Sequence, residues 1–292
     1  MNIGFIGLGI MGSAMSANLI RKSGHEVFVF DFDADKVAQA SSIGGRACDS
    51  SHEVVERADV VFTSVPKAEH VRAIHESVYD AIRPGQIFID MSTIAPADSI
   101  SLAEALGERG AIFLDVPVVK SKQQAIDGTL GIYVGGPREA YEQVKPLLEI
   151  LGQDIVYMGG NGQGITMKIL HNMLVGEIQN GVNEMMALAE RCGIDWQLFV
   201  KAISIGGASN FYLQTKAEAI GTRQFATAFS VDNMSKDTGI AQDLAAEKGL
   251  DLPGVALVRG IYQQAVEEHL GGEDFSASFK IVEENALAHP SL

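Results

Sequence analysis

Three glycines lie close together just after the first apolar run of the chain. Gly7, Gly9 and Gly12 follow the run 3–6 and precede an amphipathic run over 13–22. The first glycine permits a tight turn, the second lets backbone approach a pyrophosphate, and the third lets a helix pack closely on a strand. Strand, glycines and helix in this order predict a loop that binds a dinucleotide, although a plain glycine-rich turn is the alternative. The cofactor contacts expected in this loop are Gly7, Leu8, Gly9, Ile10, Met11 and Gly12.

An aspartate stands at the end of the second apolar run. Asp31 lies 24 residues after Gly7, near the spacing of about 20 residues at which an acidic residue binds the adenosine ribose. Its carboxylate can accept hydrogen bonds from both ribose hydroxyls and would repel a 2′-phosphate. Phe32 and Asp33 follow, so no arginine stands there to hold that phosphate. The pattern predicts NAD rather than NADP, with a turn residue or a helix cap as the alternative role of Asp31.

Composition excludes several classes of protein. The 292 residues suffice for two domains. The net charge is −15 and the sequence contains no basic cluster, which argues against binding to nucleic acid. No run of 18 apolar residues is present for a membrane span, and the apolar N-terminus lacks the basic start of a signal peptide. Two cysteines are too few for a disulfide framework, which favours the cytoplasm. No metal site is predicted.

Short apolar runs alternate with helical segments over the first half of the chain. Strands are predicted at 3–7, 26–31, 60–64, 87–91, 112–117, 131–135 and 155–157, and helices include 68–77, 97–110 and 138–151. Alternating β and α with fully apolar strands predicts an α/β fold, a mostly parallel, doubly wound sheet. Ligands gather at the carboxyl ends of such strands. The loops there carry Pro66, Thr93 and the segment 115–118.

The strand signal stops after residue 164. The stretch 165–191 has helical character without proline, and it would be about 40 Å long at about 1.5 Å per residue. The remainder is helical in pieces that end at glycines and at Pro253. We expect a dinucleotide-binding Rossmann domain over 1–162 and an all-α helical substrate and oligomerisation domain over 163–292, joined by this long interdomain helix.

Four blocks of sequence together resemble the β-hydroxyacid dehydrogenase family, which includes 3-hydroxyisobutyrate and tartronate-semialdehyde dehydrogenases. They are the glycine-rich start 4–12, Asp115-Val116-Pro117-Val118, Gly162-x-Gly164-x-x-x-Lys168-x-x-His171-Asn172, and Phe229 with Lys236-Asp237. The resemblance covers the whole chain. It implies an NAD-dependent oxidoreductase that interconverts the alcohol and the aldehyde or ketone of a small anionic hydroxy acid at a site between the domains. It also implies a homodimer or homotetramer.

The resemblance assigns the acid/base role to Lys168. The predicted helix places this lysine in its first turn, where the helix dipole and burial should lower its pKa. From the residues alone, a solvated lysine is the alternative. Asn172 lies one turn further on the same face, and the family asparagine there orients the lysine and binds substrate. His171 is either a substrate contact or a histidine satisfied within the protein.

The predicted substrate loop departs from the family pattern D-x-P-V-S-G-G. Here Val119, Lys120 and Ser121 replace the serine and both glycines, which removes a close backbone approach to a carboxylate. A basic residue at this step is similar to the sulfolactaldehyde reductase-like subset. Val119, Lys120 and Ser121 are therefore expected to bind a sulfonate, a phosphonate or a second carboxylate, unless Lys120 points to solvent.

The resemblance also supplies the remaining cofactor contacts. Phe229 and Lys236 correspond to an aromatic beside the nicotinamide and a cofactor-side lysine, and Thr93 corresponds to a threonine beside its ribose; Pro66 lies in the neighbouring loop. A core aromatic is the alternative for Phe229, and the signature starting at Asp274 has no role derived from the residues. Two rival functions stay open: an imine reductase of the same fold, whose members commonly lack the lysine, and a non-catalytic dinucleotide-binding module.

Overall fold

A computed structural model describes residues 1–288. The chain divides into two compact units, Met1–Lys168 and Ile169–Leu292, and each is described by itself. The domain boundary expected from the sequence, 162/163, falls at the start of the helix that contains Lys168.

The first unit is built on a nine-stranded sheet. Its strands are β1 Ile3–Ile6, β2 Val27–Phe30, β3 Arg46–Ala47, β4 Val60–Thr63, β5 Ile87–Asp90, β6 Ile112–Asp115, β7 Val118–Val119, β8 Leu130–Gly135 and β9 Gly152–Gly159. They lie in the order β3-β2-β1-β4-β5-β6-β8-β7, with β9 also paired to β8. The first six strands of this order, β3, β2, β1, β4, β5 and β6, are parallel to one another, whereas β8 runs antiparallel to β6 and β7. The mostly parallel sheet predicted from the apolar runs is confirmed.

Helices cover both faces of this sheet. They are α1 Ile10–Lys22, α2 Ala34–Ser42, α3 Ser51–Arg57, α4 Ala68–Ser77, α5 Pro96–Gly107, α6 Lys122–Asp127 and α7 Arg138–Leu151. One apolar core joins Phe5 of β1 to α1 and α7, and a second joins Ile6 to α3, α4 and α5. Successive residues of β1 thus face opposite cores, because side chains alternate along a strand. The unit is doubly wound, as expected.

The second unit is helical. Its elements are α8 Gln163–Arg191, which begins in the first unit, α9 Trp196–Ile203, α10 Phe211–Thr222, α11 Val231–Glu247, α12 Pro253–Glu267, a 3₁₀ turn Phe275–Ser278 and α13 Phe279–Ala288. Tyr262 and Phe279 are fully buried in its apolar core. The all-α second domain is confirmed. No helix in residues 1–288 has the length and apolar character needed to cross a bilayer.

Candidate active site

The glycine-rich loop has the conformation that its sequence predicts. Gly7 has φ +93°, and a Cβ there would collide with the Ser64 carbonyl. A Cβ on Gly12 would collide with the Gly7 carbonyl, whereas the space beside Gly9 is open. Helix α1 starts at Ile10, and no side chain in the described part of the chain caps it. The open space and the uncapped helix start fit a dinucleotide pyrophosphate.

Asp31 lies against this loop. Its Oδ2 accepts a hydrogen bond from Leu8 N at 2.6 Å, and its Oδ1 accepts one from Asp33 N at 2.9 Å. Asp33, and not Asp31, caps α2 through the Asp35 amide. The carboxylate of Asp31 is therefore held beside the loop, where a cofactor ribose would lie.

A buried hydrogen-bond network fixes the neighbouring loops at the carboxyl edge of the sheet. Asp90 Oδ1 accepts from Thr63 Oγ1 at 2.6 Å and from Ser92 Oγ at 2.7 Å, and Ser92 Oγ in turn accepts from Val65 N at 3.0 Å. Burial raises the pKa of Asp90, while these hydroxyl donors oppose the shift. Pro66 directly follows Val65, and Thr93 directly follows Ser92. The Asp90 carboxylate therefore fixes the backbone next to both of these expected cofactor contacts.

Asp115 fixes the start of α8. Its Oδ1 accepts from Gly162 N at 2.8 Å and its Oδ2 from Ile165 N at 2.9 Å. Helix α8 therefore begins at Gln163, two residues earlier than expected. Lys168 consequently lies in the second turn rather than the first, which corrects the position expected from the sequence. Its residue exposure is only 9 %, so it is not a solvated surface lysine.

The substrate loop keeps a backbone conformation that favours glycine. Lys120 has φ +84°, in the left-handed region. Its Nζ donates to the Thr129 carbonyl and to Asp154 Oδ2, both at 2.8 Å. Val119 lies in β7 and pairs with Gly131, and Ser121 bonds Gln124 at the start of α6. The cation predicted to bind an anion thus has an acidic partner at the surface of the protein.

A polar cluster surrounds Asn172 in the second unit. Asn172 Nδ2 donates to Asp237 Oδ2 at 2.6 Å, and its Oδ1 lies 3.1 Å from His171 Nδ1. Lys236 Nζ lies 3.3 Å from Asp237 Oδ1, and Asp237 is 1 % exposed. A carboxylate can only accept, so Asp237 fixes the amide orientation of Asn172. The sequence placed Asp237 in a family block but did not reveal this role.

Asp274 organises the loop that carries Phe229. Lys216 lies 2.9 Å from Asp274 Oδ1, and the amide of Ala228 donates to Asp274 Oδ2 at 3.1 Å. The Phe229 ring lies edge-on to Phe275 at 6.2 Å and is half-buried against the apolar core of this unit. The C-terminal signature, which had no role in the sequence analysis, thus anchors the Phe229 loop. Within residues 1–288, no three His, Cys, Asp or Glu side chains group as a metal site.

Comparisons with known proteins match both units of the chain. Residues 2–159 match the model of the NAD-binding domain of 6-phosphogluconate dehydrogenase, and residues 162–282 match that of NADP-dependent 3-hydroxyisobutyrate dehydrogenase. The 2-(hydroxymethyl)glutarate dehydrogenase of Eubacterium barkeri is 32 % identical over 97 % of this chain and 95 % of its own length. This chain belongs to the β-hydroxyacid dehydrogenase family. The 3-hydroxyisobutyrate dehydrogenase of Pseudomonas aeruginosa is 33 % identical over 96 % of the chain and 98 % of its own.

A solved relative supports the same assignment. The Mycobacterium tuberculosis 3-hydroxyisobutyrate dehydrogenase, solved with L-serine, has a TM-score of 0.89 and 32 % identity over 96 % of this chain and 98 % of its own. The protein is therefore an NAD(P)-binding oxidoreductase that acts on the CH–OH group of a hydroxy acid, as the sequence blocks predicted.

Proposed function

We propose that this β-hydroxyacid dehydrogenase uses NAD, with Lys168 as the catalytic acid/base. The observation that carries the proposal is the burial of Lys168 on a helix whose start is fixed by Asp115. Lysine is almost never fully buried unless a partner holds its charge, so Lys168, at 9 % exposure, is unlike an ordinary surface lysine. Asn172, whose amide orientation is fixed by Asp237, follows one turn later on the same helix.

The chemistry of the chain is proton transfer and orientation. When bound, a nicotinamide cofactor supplies or accepts the hydride. Lys168 gives a proton to the developing alkoxide during reduction, and it takes the hydroxyl proton during oxidation. Asn172, on the same helix face, orients the lysine and binds the substrate.

Lys168→Ala tests the catalytic role. We expect kcat to fall by about 10²–10⁴-fold, the usual contribution of a positioned proton donor. Lys201→Ala, which removes an exposed lysine on α9, is the matched control and should keep its activity. Unchanged turnover in Lys168→Ala would instead favour a non-catalytic dinucleotide-binding module.

The choice of NAD over NADP rests on Asp31. Its carboxylate beside Leu8 N would repel the 2′-phosphate of NADP. We expect kcat/KM for NAD(H) to exceed that for NADP(H) by about tenfold or more, and Asp31→Asn to narrow the ratio by raising NADP(H) use. This variant removes the charge and can keep an acceptor for the Leu8 amide, while its NH₂ replaces the acceptor of the Asp33 amide. Equal use of both cofactors by the unmodified enzyme would contradict the role of Asp31.

The proposed substrate is a small hydroxy acid with a further anionic group, bound by residues 119–121 and His171. Lys120 supplies a cation where the family commonly has glycine. Eubacterium barkeri 2-(hydroxymethyl)glutarate dehydrogenase, by its name, acts on a dicarboxylate, which supports a second carboxylate beside the sulfonate and phosphonate alternatives. A substrate panel with NAD(H) should include hydroxyisobutyrate, tartronate semialdehyde, serine, sulfolactate-type and dicarboxylic compounds.

An imine reductase of the same fold is the rival enzyme. Lys168 favours the hydroxy acid reaction, because imine-reducing relatives commonly lack this lysine. Parallel assays with NADH, one with an aldehyde acid and one with a cyclic imine, separate the two. Reduction of the imine alone would reverse the assignment.

Cellular location and assembly complete the proposal. The small number of cysteines, Cys48 and Cys192, favours the cytoplasm. Leu170, Leu174 and Leu188 of α8 are each more than half exposed, and such apolar exposure favours a homodimer or homotetramer. Light scattering coupled to size exclusion measures this state directly, and a monomer at micromolar concentration would exclude both.

A further inference from the structure

We propose that Asp115 is a positioning residue for Lys168: its carboxylate fixes the first turn of α8 and ties that turn to the substrate loop. The proposal rests on the acid/base role assigned to Lys168 above. Asp115 itself needs no contact with substrate or cofactor to act in this way.

The contacts of Asp115 differ from those of an ordinary helix cap. A capping side chain usually stands directly before its helix and accepts from an amide two or three positions on. Asp115 instead reaches α8 from the end of β6, 47 residues before Gly162 and 50 before Ile165. Each of its two oxygens accepts one backbone amide at the helix start. The helix therefore depends on the sheet for the position of its first turn.

Two glycines leave just enough space for this carboxylate. A Cβ on Gly135 would lie 2.6 Å from Asp115 Oδ2 and 2.7 Å from Oδ1, and a Cβ on Gly164 would lie 2.9 Å from Oδ2. Backbone from β8 and from α8 thus encloses the side chain, which is 2 % exposed. Such enclosure leaves the carboxylate little freedom, so the position of the helix start is equally restricted.

The residues after Asp115 connect the helix to substrate binding. Residues 116–121 form the proposed substrate loop, so one side chain stands where the loop leaves the sheet and where the Lys168 helix begins. Burial raises the pKa of the Asp115 carboxyl, while the hydrogen bonds from the Ile165 and Gly162 amides oppose that shift.

Asp115→Asn tests this role. An asparagine can accept one of the two amides but turns an NH₂ toward the other. We expect kcat to fall by about tenfold to 10²-fold, the scale of a small misplacement of a catalytic group. The dissociation constant of NADH should be unchanged, since the glycine-rich loop and Asp31 are intact. Amide exchange over residues 162–168 should accelerate.

Two further variants keep the test decisive. Gly135→Ala crowds the carboxylate without removing it, and it should lower kcat while leaving NADH binding intact. Asp195→Asn makes the same chemical change at the exposed cap of α9, where Leu198 N lies 2.8 Å from Oδ1, and should leave kcat and amide exchange over residues 162–168 unchanged.

The outcomes separate this inference from the proposed function. If Lys168→Ala abolishes turnover while Asp115→Asn keeps the wild-type kcat, Asp115 has no positioning role and the acid/base assignment stands. If Lys168→Ala retains turnover, the acid/base assignment itself is wrong. Faster amide exchange in Asp115→Asn without any change in kcat would also overturn the proposal, because the helix start would then be loosened without effect on catalysis.

Discussion

Lys120 occupies a backbone conformation that disfavours its own side chain. A residue with a Cβ in the left-handed region costs about 1–2 kcal/mol relative to its usual conformation. The ion pair with Asp154 joins side chains that are 37 % and 67 % exposed. Exposed pairs of this kind contribute about 0–1 kcal/mol, and the hydrogen bond from Nζ to the Thr129 carbonyl adds about 1 kcal/mol, so the two contacts together are similar in size to the strain. These contacts give Lys120 little net stabilisation, and binding of the substrate anion remains its proposed use.

Lys120→Gly separates the strain from the charge. Glycine suits φ +84°, so we expect the free energy of unfolding to stay equal or to rise. If Lys120 binds the anionic group of the substrate, KM should rise about 10- to 150-fold, the value of one charge-assisted hydrogen bond. The change in kcat should be smaller, because a group remote from the reacting carbon is bound equally in ground and transition states.

Asp154→Asn is the complementary control for Lys120. It weakens the acidic partner but keeps the cation, so KM for an anionic substrate should not rise. An unaltered KM in Lys120→Gly for every active substrate would show that Lys120 faces solvent and does not bind substrate. The substrate would then be expected to carry only the carboxylate typical of the family.

At the scale of elements, most strands and helices were predicted from local patterns of apolar and polar residues. The apolar runs predicted β1, β2, β4, β5, β6 and β8, but only residues 155–157 of the eight-residue strand β9. The helices Ala68–Ser77 and Arg138–Leu151 have the bounds expected from their periodicity, whereas α5 ends at Gly107 and not at residue 110. The two-residue strands β3 and β7 were not predicted, because two residues carry no alternation that could be detected. The start of α8 was placed two residues late, since its first amides bond a side chain from a distant strand.

Asp274 should contribute strongly to the stability of the second unit. Burial acts to raise its pKa, but the Ser276 hydroxyl and the Lys216 ammonium outweigh burial, so the pKa lies below its ordinary value. Asp274→Ala leaves Lys216 without its buried partner and frees the Phe229 loop. We expect a loss of about 3–5 kcal/mol in the free energy of unfolding, measured with urea. Asp243→Ala, at an exposed site on α11, is the control, and an equal effect in both variants would contradict the anchoring role.

At the scale of the whole molecule, the candidate site depends on contacts between distant segments. Sequence blocks identified Lys168 and Asn172 because their spacing on one helix is local. The partners that position them were not identified, because Asp115 and Asp237 act over separations of 47 and 65 residues. No local periodicity encodes such pairs. The sequence could therefore propose Lys168 and Asn172 as catalytic residues, whereas the hydrogen bonds of Asp115 and Asp237 required the structure.

One buried histidine should contribute to the decrease of the free energy of unfolding at low pH. His75 on α4 is fully buried against Phe88 and Phe113, and neither ring nitrogen has a hydrogen-bond partner among residues 1–288. Burial lowers its pKa from 6.5 to about 4. The unfolded chain therefore binds a proton that the folded chain excludes, so stability falls as pH drops below 6.5 and the loss is complete near pH 4.

His75→Leu tests this directly, because leucine fills a similar volume and does not titrate. Between pH 7 and pH 5 the wild-type protein should lose about 2 kcal/mol more of its free energy of unfolding than the variant. His25→Leu removes an exposed histidine and should leave the wild-type pH dependence unchanged. Denaturant titrations at both pH values provide the comparison. Parallel losses in the wild type and His75→Leu would show that His75 gains a proton within the folded protein, and the acid sensitivity would then arise from other groups.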